Sequence, residues 1–328
     1  MDSIDAPNPT WFGSPLRSGA QSRGGPMMQV SVVIPTCNRP DAIRECVDAL
    51  CAQTFPHDRF EIVIIDDGSR HPVQLSAILP AHPANAEKFP RIRLVRQENK
   101  GPAAARNRGA IEAEGALLAF TDDDCRPIPD WLGILVAGHL LYPKALLGGS
   151  TFNGLRENLF AETNQLILDM VYDHFNADPH HAVFLASNNW LCPRQSFFEL
   201  GGFDGSFRCA GGEDRDFCNR WRTSHLPIVW LPDARIEHRH KQSFRGFLNL
   251  HYRYGVGARL FHVKRSERGS GHAGEDLSFH RHIVRYLPDY LKKYHSRFRR
   301  IQILAALVIW EIANAIGFIS MTIRQVFS

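Results

Sequence analysis

The 328-residue sequence contains no CxxC motif. Its seven cysteines lie at positions 37, 46, 51, 125, 192, 209 and 218. Because the number is odd and the chain is long, they do not predict a disulfide framework. Free cysteine is among the residue types most often buried, so we interpret them as small apolar residues of a protein in a reducing compartment.

The N-terminal segment lacks the apolar run of a secretory signal. Residues 1–28 are rich in Pro, Gly and Ser and show no apolar periodicity. A signal peptide needs about 7–15 consecutive apolar residues. We therefore predict a flexible leader over residues 1–28, followed by a catalytic part in the cytosol.

A P-loop is missing as well. The sequence contains no GxxxxGK[ST], and its GxGxxG match, GSGHAG (269–274), does not directly follow an apolar run, which argues against a P-loop and a dinucleotide-binding fold. Positive charge is uneven: residues 235–300 carry 16 Lys and Arg against 5 Asp and Glu, whereas the rest of the chain carries 22 against 29. This basic segment has no recognised nucleic-acid-binding motif, so we expect no nucleic-acid partner.

Short apolar runs recur in the first half of the chain and predict strands. The four runs are VSVVIP (30–35), EIVIID (61–66), RIRLVR (91–96) and ALLAFT (116–121). They are rich in β-branched residues or Leu and alternate little, which is typical of strands covered on both faces. Between the first two, residues 39–54 place Ile43, Val47, Leu50 and Cys51 at helical spacing. The pattern predicts βαβ units with right-handed crossovers, hence a parallel sheet with helices on both sides.

Polar or small residues follow each predicted strand. They are PTCNR (35–39), DDGS (66–69), ENKGPAAARNRG (98–109) and DDDC (122–125). In open sheets of this kind ligands bind beyond the carboxyl ends of the strands. We therefore expect a ligand site along this edge, although ordinary polar loops would produce a similar pattern.

Three consecutive aspartates follow the fourth strand. In an extended chain Asp122 and Asp124 would share one face and Asp123 would point to the other. Two carboxylates on one face suit Mg²⁺ or Mn²⁺, which completes its coordination with water and phosphate oxygens. The pattern predicts a divalent cation that carries a nucleoside diphosphate; a capped acidic turn is the alternative.

Two further side chains at this edge are of types that can bind a ligand. Asp67 ends the second strand, where a carboxylate can accept hydrogen bonds from a nucleobase or a ribose, or can cap a helix. In GPAAARNRG (101–109) small residues let a helix N-terminus approach a ligand, and Arg106 could meet a phosphate there or lie on a solvated helix face.

The second half of the sequence is less regular. FFELGGFDGSF (197–207) predicts a helix that ends at its glycines, followed by a turn. GGEDRDFCNRW (211–221) begins a helix with acidic residues in its first turn, where the helix dipole favours negative charge. PIVWLPDARIEHRH (227–240) predicts a strand pair, or a strand and a turn, that ends in histidines.

Six motifs in order resemble those of glycosyltransferase family 2, whose fold is called GT-A. They are VVIPTCNRP, IVIIDDGS, NKGPAAARNRGA, AFTDDDC, LGGFDGSF and GGEDRDFCNRW, and the similarity runs from about Val30 to Gly257. The resemblance implies an α/β fold of the GT-A type, with a Rossmann-like, mostly parallel sheet flanked by helices and a DxD motif. It also implies a glycosyltransferase activity.

The resemblance implies roles for matching residues. Asp214 matches the general base that deprotonates the acceptor hydroxyl, and Asp124 matches the main ligand of Mg²⁺ or Mn²⁺. His238 matches a histidine near the diphosphate or the metal, although a lone histidine at a strand end is usually structural. We place eight further residues at the nucleotide sugar or the substrate: Pro35, Thr36, Arg39, Asp67, Arg106, Asp122, Asp123 and Glu213. Among them, Asp67 would take the base and Asp123 the ribose or a phosphate.

Single displacement by enzymes of this family inverts the anomeric centre. We therefore expect transfer of one sugar from a nucleotide-diphosphate sugar, first of all a UDP-sugar, to a hydroxyl of a lipid-linked or envelope glycan. Processive synthases of the family carry QxxRW well downstream of the ED pair, whereas CNRW (218–221) directly follows Asp214 and lacks the Gln. The alternatives are a nucleotidyltransferase of related fold and an inactive scaffold that binds sugar nucleotides.

The C-terminal segment IQILAALVIWEIANAIGFIS (301–320) has the length of a membrane helix, about 30 Å. Glu311 near its centre would cost roughly 2.5–3.5 kcal/mol in a bilayer. A helix on the membrane surface, with RFRR (297–300) at the phospholipid head groups, therefore stands beside a full span and a helix buried against protein.

These features predict a domain arrangement. Residues 29–260 form the catalytic domain, with a nucleotide-sugar half at 29–130 and an acceptor half at 131–260. Residues 261–328 form a basic linker and a hydrophobic helix that holds the protein at the cytoplasmic face of the membrane.

Overall fold

The computed structural model describes residues 28–79, 89–208, 211–271 and 274–326. The predicted leader, apart from its last residue, and Cys209 lie outside the described residues.

Eight strands of the described chain form one mixed sheet. The strands are β1 (Val30–Thr36), β2 (Phe60–Asp67), β3 (Arg91–Gln97), β4 (Leu117–Thr121), β5 (Cys125–Pro127), β6 (Leu146–Asn153), β7 (Asn189–Pro193) and β8 (Ile228–His238). Their order is β3-β2-β1-β4-β7-β6-β8-β5. The four predicted strands are confirmed as β1 to β4, and they pair in parallel. The other half is mixed, because β7 runs antiparallel to β4 and β6, and β5 runs antiparallel to β8.

Ten α-helices of the described residues accompany the sheet. They are α1 (Pro40–Cys51), α2 (Leu75–Ile78), α3 (Pro102–Glu112), α4 (Trp131–Leu141), α5 (Leu159–Phe175), α6 (Arg194–Glu199), α7 (Glu213–Thr223), α8 (Phe244–Glu267), α9 (Gly274–Leu291) and α10 (Arg297–Val326). The predicted first helix is confirmed as α1, which begins at a proline, a residue whose fixed φ suits the first helical turn.

Helices cover both faces of the sheet, as predicted. Alternate residues of β1 belong to different apolar clusters: Val32 lies with residues of α1 and α4, and Val33 lies with residues of α3, α6 and α7. Because neighbouring side chains of a strand point to opposite faces, this division shows that β1 is buried on both sides. The continuous apolar run in the sequence has this cause.

Residues 227–240 form one long strand followed by a short loop. β8 pairs in parallel with β6 and in antiparallel with β5. Of the two predicted alternatives, the strand pair is therefore wrong. The strand ends at His238, and the loop that follows carries His240.

Helices α8 and α10 lie side by side in close contact. A Cβ added to Gly255 of α8 would overlap the carbonyl oxygen of Asn314, and one added to Gly317 of α10 would overlap that of Tyr252. Trp310 and Leu307 of α10 are buried in an apolar cluster with α5 and α8. The opposite face of α10 is exposed and aliphatic, and we call its residues the aliphatic stripe: Ile301, Leu304, Val308, Ile312, Ile316, Ile319 and Ile323.

Candidate functional site

A cavity of about 1200 Å³ lies at the carboxyl ends of β1, β2 and β4. Its lining includes every predicted site residue except Asp123: Pro35, Thr36, Arg39, Asp67, Arg106, Asp122, Asp124, Glu213, Asp214 and His238. Segments about two hundred residues apart, such as those of Pro35 and His238, thus meet at the edge of the sheet where parallel strands end.

The three aspartates occupy a tight turn between β4 and β5. The Cys125 N–H donates to the carbonyl oxygen of Asp122 at 3.1 Å and closes this turn. Asp122 lies 2.6 Å from Arg106, whereas Asp123 and Asp124 lie 2.9 and 2.5 Å from Arg39. Asp122 and Asp124 both line the cavity whereas Asp123 does not, in agreement with the predicted alternation, but the two cavity-lining carboxylates pair with different arginines.

Asp123 lies behind the wall of the cavity. Its side chain is fully buried, and it accepts a hydrogen bond of 2.7 Å from the Thr36 hydroxyl. Burial raises the pKa of Asp123 to about 7, against the opposing effect of Arg39. The predicted contact of Asp123 with a ribose or a phosphate does not agree with this placement, and Asp123 supports Thr36 and Arg39 from behind.

Asp124 lies between two histidines. His238 Nε2 is 3.2 Å from Asp124 Oδ1, and His240 Nδ1 is 2.6 Å from Asp124 Oδ2. The pairing of β5 with β8 sets Cys125 opposite His238 and so brings the three side chains together. Burial would raise the pKa of Asp124, but His238, His240 and Arg39 together hold it well below its usual range.

These three side chains suit a divalent cation. One ligand atom from each lies within 4.8 Å of the others, and a carboxylate with two imidazoles offers an oxygen and nitrogens at spacings that one ion can bridge. His240 is not among the ligands predicted from the sequence. The signal for it is the spacing of two residues from His238, which places both side chains on one side of an extended chain.

Arg106 connects the aspartate turn to the start of α7. Arg106 is 4% exposed, and its guanidinium lies 2.6 Å from Asp122 and 3.5 Å from Glu213. The charges of Asp122, Asp214 and Glu213 keep the pKa of Arg106 above its ordinary value despite its burial. Arg106 thus lines the cavity as predicted, and its partners within the protein are carboxylates. Its contact with a phosphate stays a prediction.

Asp67 holds the loop that leads into α3. Its carboxylate accepts hydrogen bonds from the N–H groups of Lys100 and Gly101, both at 2.9 Å, and from Gln97 Nε2 at 2.8 Å. A carboxylate has about four acceptor positions, so one position remains for a ligand. The base contact of Asp67 stays a prediction.

Glu213 and Asp214 begin α7 directly after two glycines, as predicted. Gly212 has a φ of +95°, a conformation that side chains rarely adopt, and this glycine turns the chain into the helix. The Gly211 N–H donates to Glu213 Oε2 at 2.6 Å, and the Ser187 N–H donates to Asp214 Oδ2 at 3.0 Å. Burial, and after it the charge of Asp214, raises the pKa of Glu213 to about 8.

Asp214 has the environment of a general base. Burial raises its pKa, and Arg106 acts in the opposite direction. A carboxylate with a raised pKa is a stronger base than one in water. Asp214 also lines the cavity, so a hydroxyl bound there can approach it.

The site has a part that the sequence did not predict. The cavity continues between α5, α8 and α10, where its lining includes Val171, Arg253, Arg259, Glu311 and Phe318. No local pattern marks these residues as neighbours, because they come together only when three helices pack.

Known proteins are similar to this chain in sequence. The family model described as glycosyl transferase family 2 matches residues 31–201. The pre-mycofactocin glycosyltransferase of Mycobacterium tuberculosis is 29% identical over 244 residues, which are 73% of this chain and 48% of the relative. The validoxylamine A glucosyltransferase of Streptomyces hygroscopicus subsp. limoneus is 28% identical over 245 residues, which are 65% and 53%. The chain thus spans about half the length of these curated relatives.

Solved structures share the fold. The mannosyltransferase PcManGT from Pyrobaculum calidifontis, in complex with GDP-Man and Mn²⁺, has a TM-score of 0.57 at 18% identity and covers 96% of this chain and 84% of its own. TarS 1-349 of S. aureus, in complex with UDP-GlcNAc, has a TM-score of 0.54 at 18% identity, with coverages of 87% and 81%. These similarities show a GT-A fold. Since the family model covers more than half of the chain, and since its motifs surround the cavity, the chain belongs to glycosyl transferase family 2.

Proposed function

We propose that the protein is an inverting glycosyltransferase that depends on a divalent cation and moves a single sugar from a nucleotide-diphosphate sugar to a hydroxyl group. One observation carries this proposal: a single cavity is lined by Thr36 and Arg39, by the candidate metal ligands and by Asp214. Donor-side groups and a buried base within one cavity are what a direct transfer between two bound substrates requires.

The donor is a nucleotide-diphosphate sugar, and we place UDP-sugars first. The structural neighbours support this class, since PcManGT is in complex with GDP-Man and TarS with UDP-GlcNAc. Asp124, His238 and His240 would hold Mg²⁺ or Mn²⁺, which would supply positive charge to the diphosphate. The N-terminus of α3, at Gly101 and Pro102, also lines the cavity and adds the positive end of a helix dipole.

The residues of the chain account for a single displacement. The acceptor oxygen forms a bond to the anomeric carbon and transfers its proton to Asp214. The bond between that carbon and the diphosphate oxygen breaks, and its electron pair stays on the diphosphate. A positioned base contributes typically about 10²–10⁴-fold to such a step. Attack from the side opposite the diphosphate inverts the anomeric centre.

Release of nucleoside diphosphate tests this proposal. The purified protein is incubated with a panel of nucleotide sugars and Mn²⁺ or Mg²⁺, with and without EDTA. We expect release that EDTA abolishes, and a product whose anomeric configuration is inverted by NMR. Retained configuration would contradict the single displacement, and release that EDTA does not affect would contradict the metal requirement.

Two substitutions assign the roles within the site. Asp124→Ala should weaken metal-dependent nucleotide binding. Asp214→Asn should keep that binding and lower transfer by at least about 100-fold. Asp233→Asn, in an exposed part of β8, is the matched control and should behave as the parent. Transfer by Asp214→Asn at the parent rate would show that Asp214 is not the base.

We further propose that α10 lies on the cytoplasmic face of the membrane and that the acceptor is a lipid-linked or envelope glycan. α10 is long and apolar enough to cross a bilayer by length and composition. Its partner α8, however, carries Arg253 and Arg259 and stays in contact with α10 through glycines. A span would draw these charges into the bilayer, so we favour α10 at the surface, with the aliphatic stripe toward the lipid.

Vesicle binding tests the membrane contact. Val308→Glu and Ile316→Glu, at positions 59% and 54% exposed, should abolish flotation with phosphatidylglycerol vesicles. Leu140→Glu, at an exposed apolar position of α4, is the control and should float as the parent does. If the two α10 variants float equally well, the aliphatic stripe does not contact the membrane.

A further inference from the structure

The cavity has a second chamber, which lies between α5, α8 and α10 and which we call the helix chamber. Leu168 and Val171 of α5 and Phe318 and Ile319 of α10 supply apolar walls. The chamber belongs to the same cavity as Asp214. A molecule in the helix chamber can therefore extend to the proposed base without crossing protein.

The helix chamber opens on the side of α10 that carries the aliphatic stripe. Ile319 belongs to both, since it lines the cavity and is 57% exposed. Ala315, one turn before it, also lines the cavity and is exposed. If the aliphatic stripe faces lipid, the opening faces lipid as well.

Helix α8 brings positive charge into the helix chamber. The Nε atoms of Arg253 and Arg259 are buried and have no hydrogen-bond partner among the residues that the structure describes. The guanidinium of Arg259 lies 5.8 Å from the ring centre of Phe318. Glu311 of α10 is an acidic residue of the same lining. A buried donor without a partner is costly, so these arginines favour a ligand that brings acceptor oxygens.

We propose that the helix chamber is the acceptor site and that the acceptor is a phosphorylated amphiphile. Its phosphate oxygens bind Arg253 and Arg259, its aliphatic chain lies along α5 and α10 toward the opening, and its hydroxyl reaches Asp214. The inference rests on the proposed function for the identity of the hydroxyl as acceptor. It adds the site and the chemical class, because apolar walls and guanidinium groups together fit an anionic lipid better than a free glycan.

Binding of decyl phosphate, below its critical micelle concentration, tests this inference by calorimetry. We expect decyl phosphate to bind, and decanol and inorganic phosphate each to bind at least tenfold more weakly. Arg253→Gln or Arg259→Gln should weaken decyl phosphate binding by about 10–100-fold, the value of a charge-assisted hydrogen bond. Arg245→Gln, at an exposed position of the same helix outside the cavity, should leave it unchanged.

A second variant covers the case in which an arginine variant fails to fold. Val171→Trp fills the apolar part of the helix chamber and should weaken decyl phosphate binding while UDP binding persists. Parent-like affinity for decyl phosphate in the folded arginine variants and in Val171→Trp would overturn the inference. The inference would also be overturned if the arginine variants lost affinity for UDP while their decyl phosphate binding stayed unchanged, because the arginines would then bind the donor nucleotide.

The proposed function can fail separately. If decyl phosphate does not bind but metal-dependent release of nucleoside diphosphate is intact, the helix chamber is not a lipid site, and the proposed glycosyltransferase function stands. Arginine-dependent decyl phosphate binding without turnover of any nucleotide sugar supports the lipid site and refutes the proposed function.

Discussion

Removal of the Arg106 charge should disturb both the stability and the pH dependence of the protein. Arg106 is buried between Asp122 and Glu213, and it also lowers the pKa of Asp214. The substitution Arg106→Gln keeps a polar side chain of moderate size but leaves these carboxylates without their buried cation.

The size of the effect depends on which carboxylates can be rehydrated or protonated once the cation is removed. Breaking a buried ion pair from one side costs about 3–5 kcal/mol. The side chain of Asp122 is 28% exposed and can be rehydrated, and Glu213, with a pKa raised by burial to about 8, can take up a proton. We therefore expect a loss of about 3 kcal/mol in the free energy of unfolding at pH 9 and a smaller loss at pH 6, where Glu213 is already neutral.

Urea unfolding at the two pH values measures this loss. A second readout is the pH profile of kcat/KM for sugar transfer. Without Arg106 the pKa of Asp214 rises further, and since a base must be unprotonated to act, the acidic limb of the profile should move to higher pH. A merely structural role for Arg106 would not move that limb.

The control lies two residues further along the same helix. Arg108 forms an exposed pair with Glu112, 47% and 21% exposed, and Arg108→Gln should cost less than about 1 kcal/mol. If Arg106→Gln costs no more than Arg108→Gln and leaves the acidic limb in place, the buried charge of Arg106 does not couple the aspartate turn to Asp214.

Three further predictions concern neighbouring parts of the site. Burial, and after it Asp214, raises the pKa of Glu213 from an ordinary 4.5 to about 8, so the folded protein retains a proton over this range and loses stability as the pH rises through it. The urea midpoint of Glu213→Gln should not show that loss. Equal dependence of the parent and variant midpoints on pH would contradict the raised pKa. A Cβ at Gly257 would overlap the Gly211 carbonyl oxygen, so Gly257→Ala should lower stability by about 1–3 kcal/mol in thermal melting. The control Gly133→Ala, with open space around the added Cβ, should be neutral or stabilising by up to about 1 kcal/mol. Equal melting temperatures of the two variants would refute the close contact at Gly257. His240→Asn should weaken Mn²⁺ binding in the presence of UDP by at least about tenfold in calorimetry, and parent affinity would exclude His240 from the ligand set.

The sequence alone was sufficient for the first half of the sheet and for the edge that carries the site. Buried parallel strands need uninterrupted apolar runs, so β1, β2, β3 and β4 are visible without any partner. Parallel strands that connect through helices also release the chain at one edge, which places the polar residues after each strand in one region. The start of α7 is similarly local, because Gly212 and the acidic first turn are properties of a few neighbouring residues.

Local rules did not reveal the charged partners of the three aspartates. The alternation of side chains in a strand predicted a shared face for Asp122 and Asp124, and both line the cavity whereas Asp123 does not. The sequence did not show the turn that the hydrogen bond from the Cys125 N–H to the Asp122 carbonyl oxygen closes. In this turn Asp122 pairs with Arg106, whereas the next two aspartates pair with Arg39. A sequence shows three like charges but not the hydrogen bond that separates them.

Only the tertiary structure decided which distant residues meet. Asp124 and His240 are 116 residues apart, and their contact depends on the pairing of β5 with β8. The hydropathy of α10 predicts a helix that avoids water, but it does not show that Glu311 lines a cavity while Ile316 is exposed. Periodicity and propensity report interactions within a few residues of the chain, whereas the site depends on the packing of strands and helices that are remote in sequence.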